Sequence, residues 1–222
     1  MEVEAKFVVP DGETFQRLQR IDHLAGFALS EDRVKHVRDT YLDTSERAIL
    51  ASGYACRQRI QHGGVLITVK GLRDAEGAIH RREELEVWLP SVEPPARWPE
   101  SSVRDLVFQL IGDSELTPLL SLRQTRLVRL VNQGERLVGQ FSLDEVHLLA
   151  QGKEQTCLEL EVELTPEGTE DDLCALVNAL QSKWGLVSQT QSKFERALAF
   201  MEETREDPRS QSGRSCSGSA GG

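Results

Sequence analysis

Charged and apolar residues alternate one for one in segment after segment of this chain, and this alternation restricts its fold more than any other feature. The first instance is Met1-Glu2-Val3-Glu4-Ala5-Lys6-Phe7. Successive side chains of a strand point to opposite faces, so Glu2, Glu4 and Lys6 share one face and Val3, Ala5 and Phe7 the other. The same period sets Arg57 with Arg59, Thr68 with Lys70, and Arg82 with Glu84 and Glu86. It sets Gln124 with Arg126, Ser142 with Asp144, and Glu159 with Glu161 and Glu163. The opposite faces carry Ile60, then Ile67 and Val69, Leu85 and Val87, Leu143, and Leu160, Val162 and Leu164.

Eight strands are predicted, over about 2–9, 34–43, 54–61, 64–70, 79–89, 119–131, 135–148 and 156–164. His62-Gly63-Gly64 reads as a hairpin turn between the third and fourth, and Arg73–Gly77 as the loop before the fifth. Asp11 can cap a helix near 12–21, and a short helical turn can follow through 46–51. Ser101 or Ser102 can cap a helix carrying Val103, Leu106, Val107, Leu110 and Ile111. Thr169 with Asp172 resembles a capping box for a helix to about Trp184, and a last helix runs from about Ser192 to Glu203. No β-α-β alternation repeats, so the class is α+β rather than a doubly wound parallel sheet. Eight antiparallel strands can close into a barrel, which removes exposed edges. The domain spans 1–204, and the Ser- and Gly-rich 205–222 read as a disordered tail.

One charged strand face alone is an ordinary solvated surface, where cross-strand ion pairs contribute only about 0.2–1 kcal/mol. In combination the charges sort into cationic and anionic strands, and four apolar helical faces are available to cover the strands from outside. A closed barrel then has an ionic interior, a charged tunnel. Arg57, Arg59, Lys70 and Arg126 are expected to repel one another there, as are Glu2, Glu4, Glu161 and Glu163. A polyanion and divalent cations relieve both. Arg suits bidentate contact with phosphate oxygens, and clustered carboxylates suit Mg²⁺ or Mn²⁺.

The net charge of −10 argues against a general nucleic-acid binder, and no nucleic-acid partner is expected. No apolar run approaches a bilayer span and no basic-then-apolar leader opens the chain, so no membrane association is expected. The four cysteines lack metal-ligand spacing and read as reduced, which predicts a cytoplasmic protein. The five histidines each read as surface or loop residues.

These motifs resemble the CYTH family, also called triphosphate tunnel metalloenzymes. Glu2-Val3-Glu4-Ala5-Lys6 is similar to its Glu-x-Glu-x-Lys signature, and Asp39-Thr40-Tyr41-Leu42-Asp43-Thr44 to its second-strand motif. Arg57-Gln58-Arg59, Thr68-Val69-Lys70-Gly71 and Arg82-Glu83-Glu84-Leu85-Glu86 follow in order. Thr125-Arg126, Asp144-Glu145, Glu161-Val162-Glu163-Leu164 and Ser192–Leu198 complete the set, so the likeness covers about 2–200. The resemblance implies an eight-stranded tunnel and metal-dependent action on a small-molecule triphosphate. It implies Glu2, Glu4, Asp144, Glu161 and Glu163 on the metal side, and Lys6, Arg57, Arg59, Lys70, Arg126 and Lys193 on the triphosphate. Arg82, Glu84 and Glu86 would orient these groups, Arg82 towards substrate and the two carboxylates towards a second metal.

Members of that family include inorganic triphosphatases, thiamine triphosphatases, class IV adenylate cyclases and RNA triphosphatases. Two departures stand out. Gln124 replaces the lysine that compact bacterial members often carry two residues before the arginine equivalent to Arg126. Ala55 and Cys56 stand where vertebrate thiamine triphosphatases carry a tryptophan before the Arg-x-Arg pair. The expected activity is hydrolysis of inorganic triphosphate or a related organic triphosphate. A class IV adenylate cyclase, a thiamine triphosphatase and a non-catalytic polyphosphate or nucleotide-binding module are the alternatives. Oligomeric state stays open.

Overall fold

The computed structural model describes residues 2–61, 63–72 and 79–206. The predicted turn at His62, the loop at Arg73–Gly77 and the tail from 207 onward lie outside the described residues. The chain runs β1 (Glu2–Val8), α1 (Gly12–Gln19), β2 (His23–Leu24), β3 (Phe27–Leu29), β4 (Arg33–Asp43), α2 (Ala48–Ala51) and β5 (Tyr54–Gln61). Then come β6 (Gly64–Gly71), β7 (Ile79–Arg82), β8 (Glu84–Leu89), a 3₁₀ turn at Pro95–Arg97 and α3 (Ser102–Ile111). Last are β9 (Thr117–Gln133), β10 (Arg136–Ala150), β11 (Lys153–Leu164), α4 (Glu170–Trp184), β12 (Val187–Ser188) and α5 (Lys193–Glu206).

Nine of these strands form a nearly closed antiparallel barrel flanked by five helices, an α+β fold. The order around it is β1-β11-β10-β9-β4-β5-β6-β8, and β7 pairs back to β1. The expected fifth strand is therefore two. It breaks at Glu83 because its first half must pair with β1, with Arg82 opposite Glu2, and its second half with β6, with Glu84 opposite Lys70. That change of partner is what closes the barrel. At the far end of the β6–β8 pair, a Cβ on Gly64 would stand 2.4 Å from the Leu89 carbonyl oxygen, so only glycine allows the two backbones to approach there.

Most caps formed as the residue types dictate. Asp11 accepts from the Thr14 N–H at 2.7 Å. Thr169 and Asp172 form the reciprocal capping box. Ser192 and Glu195 make a second such pair ahead of α5, with Ser192 N–H to Glu195 at 2.7 Å and Glu195 N–H to Ser192 Oγ at 3.2 Å. α5 runs through Glu206, two residues into the segment expected to be tail. β2 and β3 escaped the sequence reading because two or three residues carry no readable period. The buried Arg129 ties them down, donating to Ser30 O at 2.6 Å and Leu29 O at 3.2 Å.

Three apolar clusters surround the barrel wall. Phe7, Phe141, Leu143, Leu160 and Val162 pack outward against Leu18 of α1 and Leu173, Leu176 and Leu180 of α4. Ile67, Val69 and Leu89 pack against Val103 and Val107 of α3. α5 differs from the expectation that all four long helices cover the outside. Its Phe194 and Ala197 meet Tyr41, Ala55, Leu122, Val146 and Leu148. Leu122 stands opposite Asp39 and Leu148, on the inward face of the wall. α5 therefore plugs one end of the barrel, because the inward positions are apolar at that end; the Tyr41 and Phe194 rings meet at 4.8 Å.

Phe141 is fully buried where β10 meets α4 and α1. Phe141→Ala is expected to lower stability by about 3–5 kcal/mol in urea unfolding; a loss below about 1 kcal/mol would contradict this packing.

Candidate active site

The alternating faces converge on one cavity of about 730 Å³ inside the barrel. From β1 come Glu2, Glu4 and Lys6, from β5 Arg57 and Arg59, and from β6 Lys70. β7 and β8 add Arg82, Glu84 and Glu86; β9 adds Arg126, β11 Glu161 and Glu163, and α5 Lys193. Asp144 stands behind this lining, fully buried and ion-paired to Arg126 and Lys193. All fourteen residues singled out in the sequence are therefore brought to one place, thirteen on the wall and one behind it.

Their charges are not segregated as expected. Lys70 lies 2.9 Å from Glu2 and 3.1 Å from Glu84. Lys6 lies 2.8 Å from Glu4 and 3.4 Å from Glu161. Arg126 donates to Asp144 at 2.8 Å, to Glu161 at 2.7 Å and to Ser142 at 3.2 Å. The cause is register: Lys70 faces Glu84, Arg126 faces Asp144 and Lys6 faces Glu161 on neighbouring strands. The lining thus neutralises much of itself, which removes most of the repulsion inferred from sequence. Lys6 sits among carboxylates rather than beside Arg57 and Arg59. Burial pulls its ammonium down, but Glu4 and Glu161 outweigh that and hold it well above the ordinary lysine range.

Asp144, Glu159 and Glu161 bring ligand oxygens within 4.8 Å of one another, a spacing that suits a metal ion. Here the Lys193 ammonium sits among them, 2.8 Å from Asp144, 2.8 Å from Glu161 and in contact with Glu159. Arg196 contacts Glu159 from the other side. Glu159 and Arg196 were not among the expected site residues, although the period-two reading of β11 had already put Glu159 on the charged face.

Asp39 is the most consequential residue that sequence reasoning left without a role. It is fully buried and accepts from Arg59 through both oxygens, at 2.6 and 2.7 Å. Gln124 Nε2 donates to it at 2.7 Å. Burial pushes the Asp39 carboxyl up, but the Arg59 hydrogen bonds and the Arg57 charge outweigh it, leaving it below the usual range. The glutamine at 124 is thus a support for Asp39 and, through it, for Arg59. His80 corrects the reading of every histidine as a surface residue: it is 1% exposed. Arginine only donates, so His80 Nδ1 accepts from Arg82 at 2.9 Å and Nε2–H donates to Gln189 O at 2.9 Å. Burial, Lys6 and Arg82 all lower its pKa, which agrees with this neutral tautomer.

Several buried side-chain atoms lack a hydrogen-bond partner, Arg196 Nε and Gln124 Oε1 among them, and three incompletely satisfied groups, Arg57, Arg82 and Glu163, line the cavity itself. Arg57 donates to Thr68 at 3.1 Å, and Thr68 to Glu86 at 3.0 Å, but the buried Arg57 Nε has no partner. The buried Arg82 Nε has none either. The Glu163 carboxylate has no hydrogen bond or ion pair among the described residues. Burial, with Glu2 and Glu4 close by, pushes its carboxyl up to about 7. Unpaired guanidinium donors and crowded hard oxygen donors in one cavity fit an anion held beside a divalent cation. Glu2, Glu4 and Glu163 are the carboxylates that lie close to one another on this wall, while the ligand oxygens at metal-site spacing among the described residues are those of Asp144, Glu159 and Glu161.

The family model for the CYTH domain matches residues 1–198. The chain belongs to the CYTH domain family. Among solved structures, this CYTH chain is similar to HpAC1 from Hippeastrum, named as an adenylyl cyclase and described as having a dominant triphosphatase activity. The two are 19% identical with a TM-score of 0.70, over 90% of this chain and 96% of that one. A candidate adenylate cyclase from Bacillus halodurans gives 24% and 0.61, over 88% and 96% of the two chains. PH1819 from Pyrococcus horikoshii OT3 gives 22% and 0.58, over 90% and 99%. These likenesses establish the tunnel fold. A comparison with curated protein sequences finds no match. Among the described residues, no helix of this CYTH protein is long and apolar enough to cross a membrane.

Two outcomes follow. Lys193→Met leaves Asp144, Glu159 and Glu161 without their shared ammonium and is expected to cost about 3–5 kcal/mol in urea unfolding. A loss below about 1 kcal/mol would contradict the cluster. The second concerns pH. Folding raises the Glu163 pKa from 4.5 to about 7, so the native state keeps a proton that the unfolded chain releases first. In metal-free protein the stability linked to this group is full below about pH 4.5 and is lost as pH rises through about 7. Glu163→Gln is expected to flatten that decline in unfolding measured with chelator across the same range, and an unchanged slope would contradict it.

Proposed function

We propose that this CYTH protein is a divalent-metal-dependent triphosphatase that hydrolyses the terminal phosphoanhydride of inorganic triphosphate or a related organic triphosphate. The observation that carries this reading is the pairing of partnerless donors, Arg57 Nε and Arg82 Nε, with a protonated-prone Glu163 on the same cavity. Each half of that arrangement lacks what a metal–triphosphate complex provides.

In this reading Arg57 and Arg82 donate to phosphate oxygens, with Arg59 held in place by Asp39 and Gln124. Lys6, Lys70 and Arg126 turn part of their charge from their present carboxylates to the phosphates, and Lys193 holds Asp144, Glu159 and Glu161 together at the plugged end. The carboxylates so released, chiefly Glu2 and Glu4, would hold Mg²⁺ or Mn²⁺ together with Glu163, and Glu86 would support them from the same wall. When bound, the cation offsets phosphate charge and makes the attacking water a better nucleophile. Water attacks the terminal phosphorus in line, and the cationic wall stabilises charge on the departing group. Phosphoryl transfer depends mostly on such positioning and electrostatic stabilisation, which this lining supplies. Glu84 and the Asp144–Glu161 pair orient Lys70 and Arg126. The dominant triphosphatase activity described for HpAC1 is in line with this choice. A cytoplasmic location accords with the free thiols of Cys56, Cys157 and Cys174.

Glu4→Gln is expected to lower kcat on tripolyphosphate with Mg²⁺ or Mn²⁺ by about 100-fold or more while leaving the circular dichroism spectrum unchanged. Turnover within about tenfold of the parent would refute the assignment. Products are to be identified, since formation of a cyclic nucleotide from ATP would replace hydrolase with cyclase.

A further inference from the structure

Most cations of the tunnel wall are held by carboxylates. Asp39 holds Arg59, Asp144 and Glu161 hold Arg126, and Glu2 and Glu84 hold Lys70. Each such partner fixes its cation and also cancels part of its charge. Arg82 is held differently. It ends β7 with its side chain on the cavity, and it makes no ion pair among the described residues. Its Nη2 donates to His80 Nδ1 at 2.9 Å, and its buried Nε has no partner. A neutral imidazole orients the guanidinium and leaves its charge available to an anion.

His80 is itself fixed. It lies two residues before Arg82 on β7, so both side chains share the inner face. The cavity lining includes Arg82 but not His80, which is fully buried beside it. The imidazole Nε2–H donates to Gln189 O at 2.9 Å. Gln189 in turn donates its backbone N–H to Lys6 O at 2.8 Å, and its side-chain oxygen accepts from the Gln191 N–H at 3.1 Å. Gln189 lies between β12 and α5, so the ring is clamped between Arg82 and the segment leading into the plug. Arginine only donates, so this clamp requires the tautomer with its proton on Nε2. An arginine already ordered loses less rotamer freedom when an anion arrives, and it binds that anion more tightly.

We propose that His80 is a positioning residue: it presets the Arg82 guanidinium towards the polyphosphate without neutralising it, on an anchor supplied by the β12–α5 connection. The proposal deepens the triphosphatase reading and rests on it for the reaction that Arg82 serves. His80 acts through Arg82 and touches neither phosphate nor metal.

The experiment is a double-mutant cycle on the full chain. It reads the dissociation constant of tripolyphosphate by calorimetry in chelator, where nothing turns over, and phosphate release separately with Mg²⁺ or Mn²⁺. His80→Gln keeps a donor that reaches Gln189 but places no acceptor where Nδ1 stands. His80→Asn keeps an oxygen close to the place of Nδ1. The dissociation constant is expected to rise about tenfold in His80→Gln and to stay within about threefold of the parent in His80→Asn. In an Arg82→Met chain, His80→Gln is expected to change the constant by less than about twofold, because its effect runs through the missing guanidinium. A His80→Gln loss that persists undiminished in Arg82→Met, or equal losses in His80→Gln and His80→Asn, would overturn the proposal. So would a His80→Gln constant within about twofold of the parent. A coupled loss of binding in a protein that releases no phosphate with either metal would support the positioning role and refute the triphosphatase reading alone.

Discussion

Lys193 Nζ, held by Asp144, Glu159 and Glu161, is the contact on which the interior of this barrel depends. Each buried ion costs several kcal/mol in lost hydration unless it is paired with good geometry. Three buried carboxylates around one ammonium satisfy that condition only when α5 is docked, because Lys193 begins that helix. Docking brings Phe194 onto Tyr41 and Ala197 into the apolar end of the barrel. It also leaves Asp144 and Glu161 oriented towards Arg126. One ionic cluster therefore couples the plug, the closed end and the first arginine of the cationic wall.

The remaining charges are arranged on the same principle but less completely. Lys70 with Glu2 and Lys6 with Glu4 are pairs that a ligand can divide, since each member also faces the cavity. Arg59 is different: Asp39 holds it through two hydrogen bonds and Gln124 fixes Asp39 in turn. The wall thus combines fixed cations with exchangeable ones. Arg57 and Arg82 retain a free donor each, and Glu163 keeps no cation partner, so the resting state falls short of full satisfaction at the points where phosphate and metal chemistry is proposed.

Much of this was legible in the sequence because a period of two is a statement about faces. Glu2, Glu4 and Lys6 or Glu161 and Glu163 had to share a side whatever their partners. Partners were not legible, since register is a property of two strands at once. That is why Lys70 was expected among cations and is found between Glu2 and Glu84. The break at Glu83 has the same origin: a single strand that serves two neighbours looks continuous in one dimension. α5 was misplaced because its apolar face says that it must be covered, not whether an outer wall or a barrel end covers it. His80 was missed because a histidine in a strand gives no sign of burial until Arg82 and Gln189 are placed around it.

The central claim is that the internal ion pairs of the tunnel stand in for a triphosphate and a divalent cation, each of which frees groups that the other uses. Binding one should therefore favour binding the other, by the reciprocity of linked equilibria. The most direct measurement is the thermal unfolding midpoint with tripolyphosphate alone, Mg²⁺ alone and both together. The account predicts a combined rise greater than the sum of the two separate ones. A combined rise no larger than that sum would contradict it.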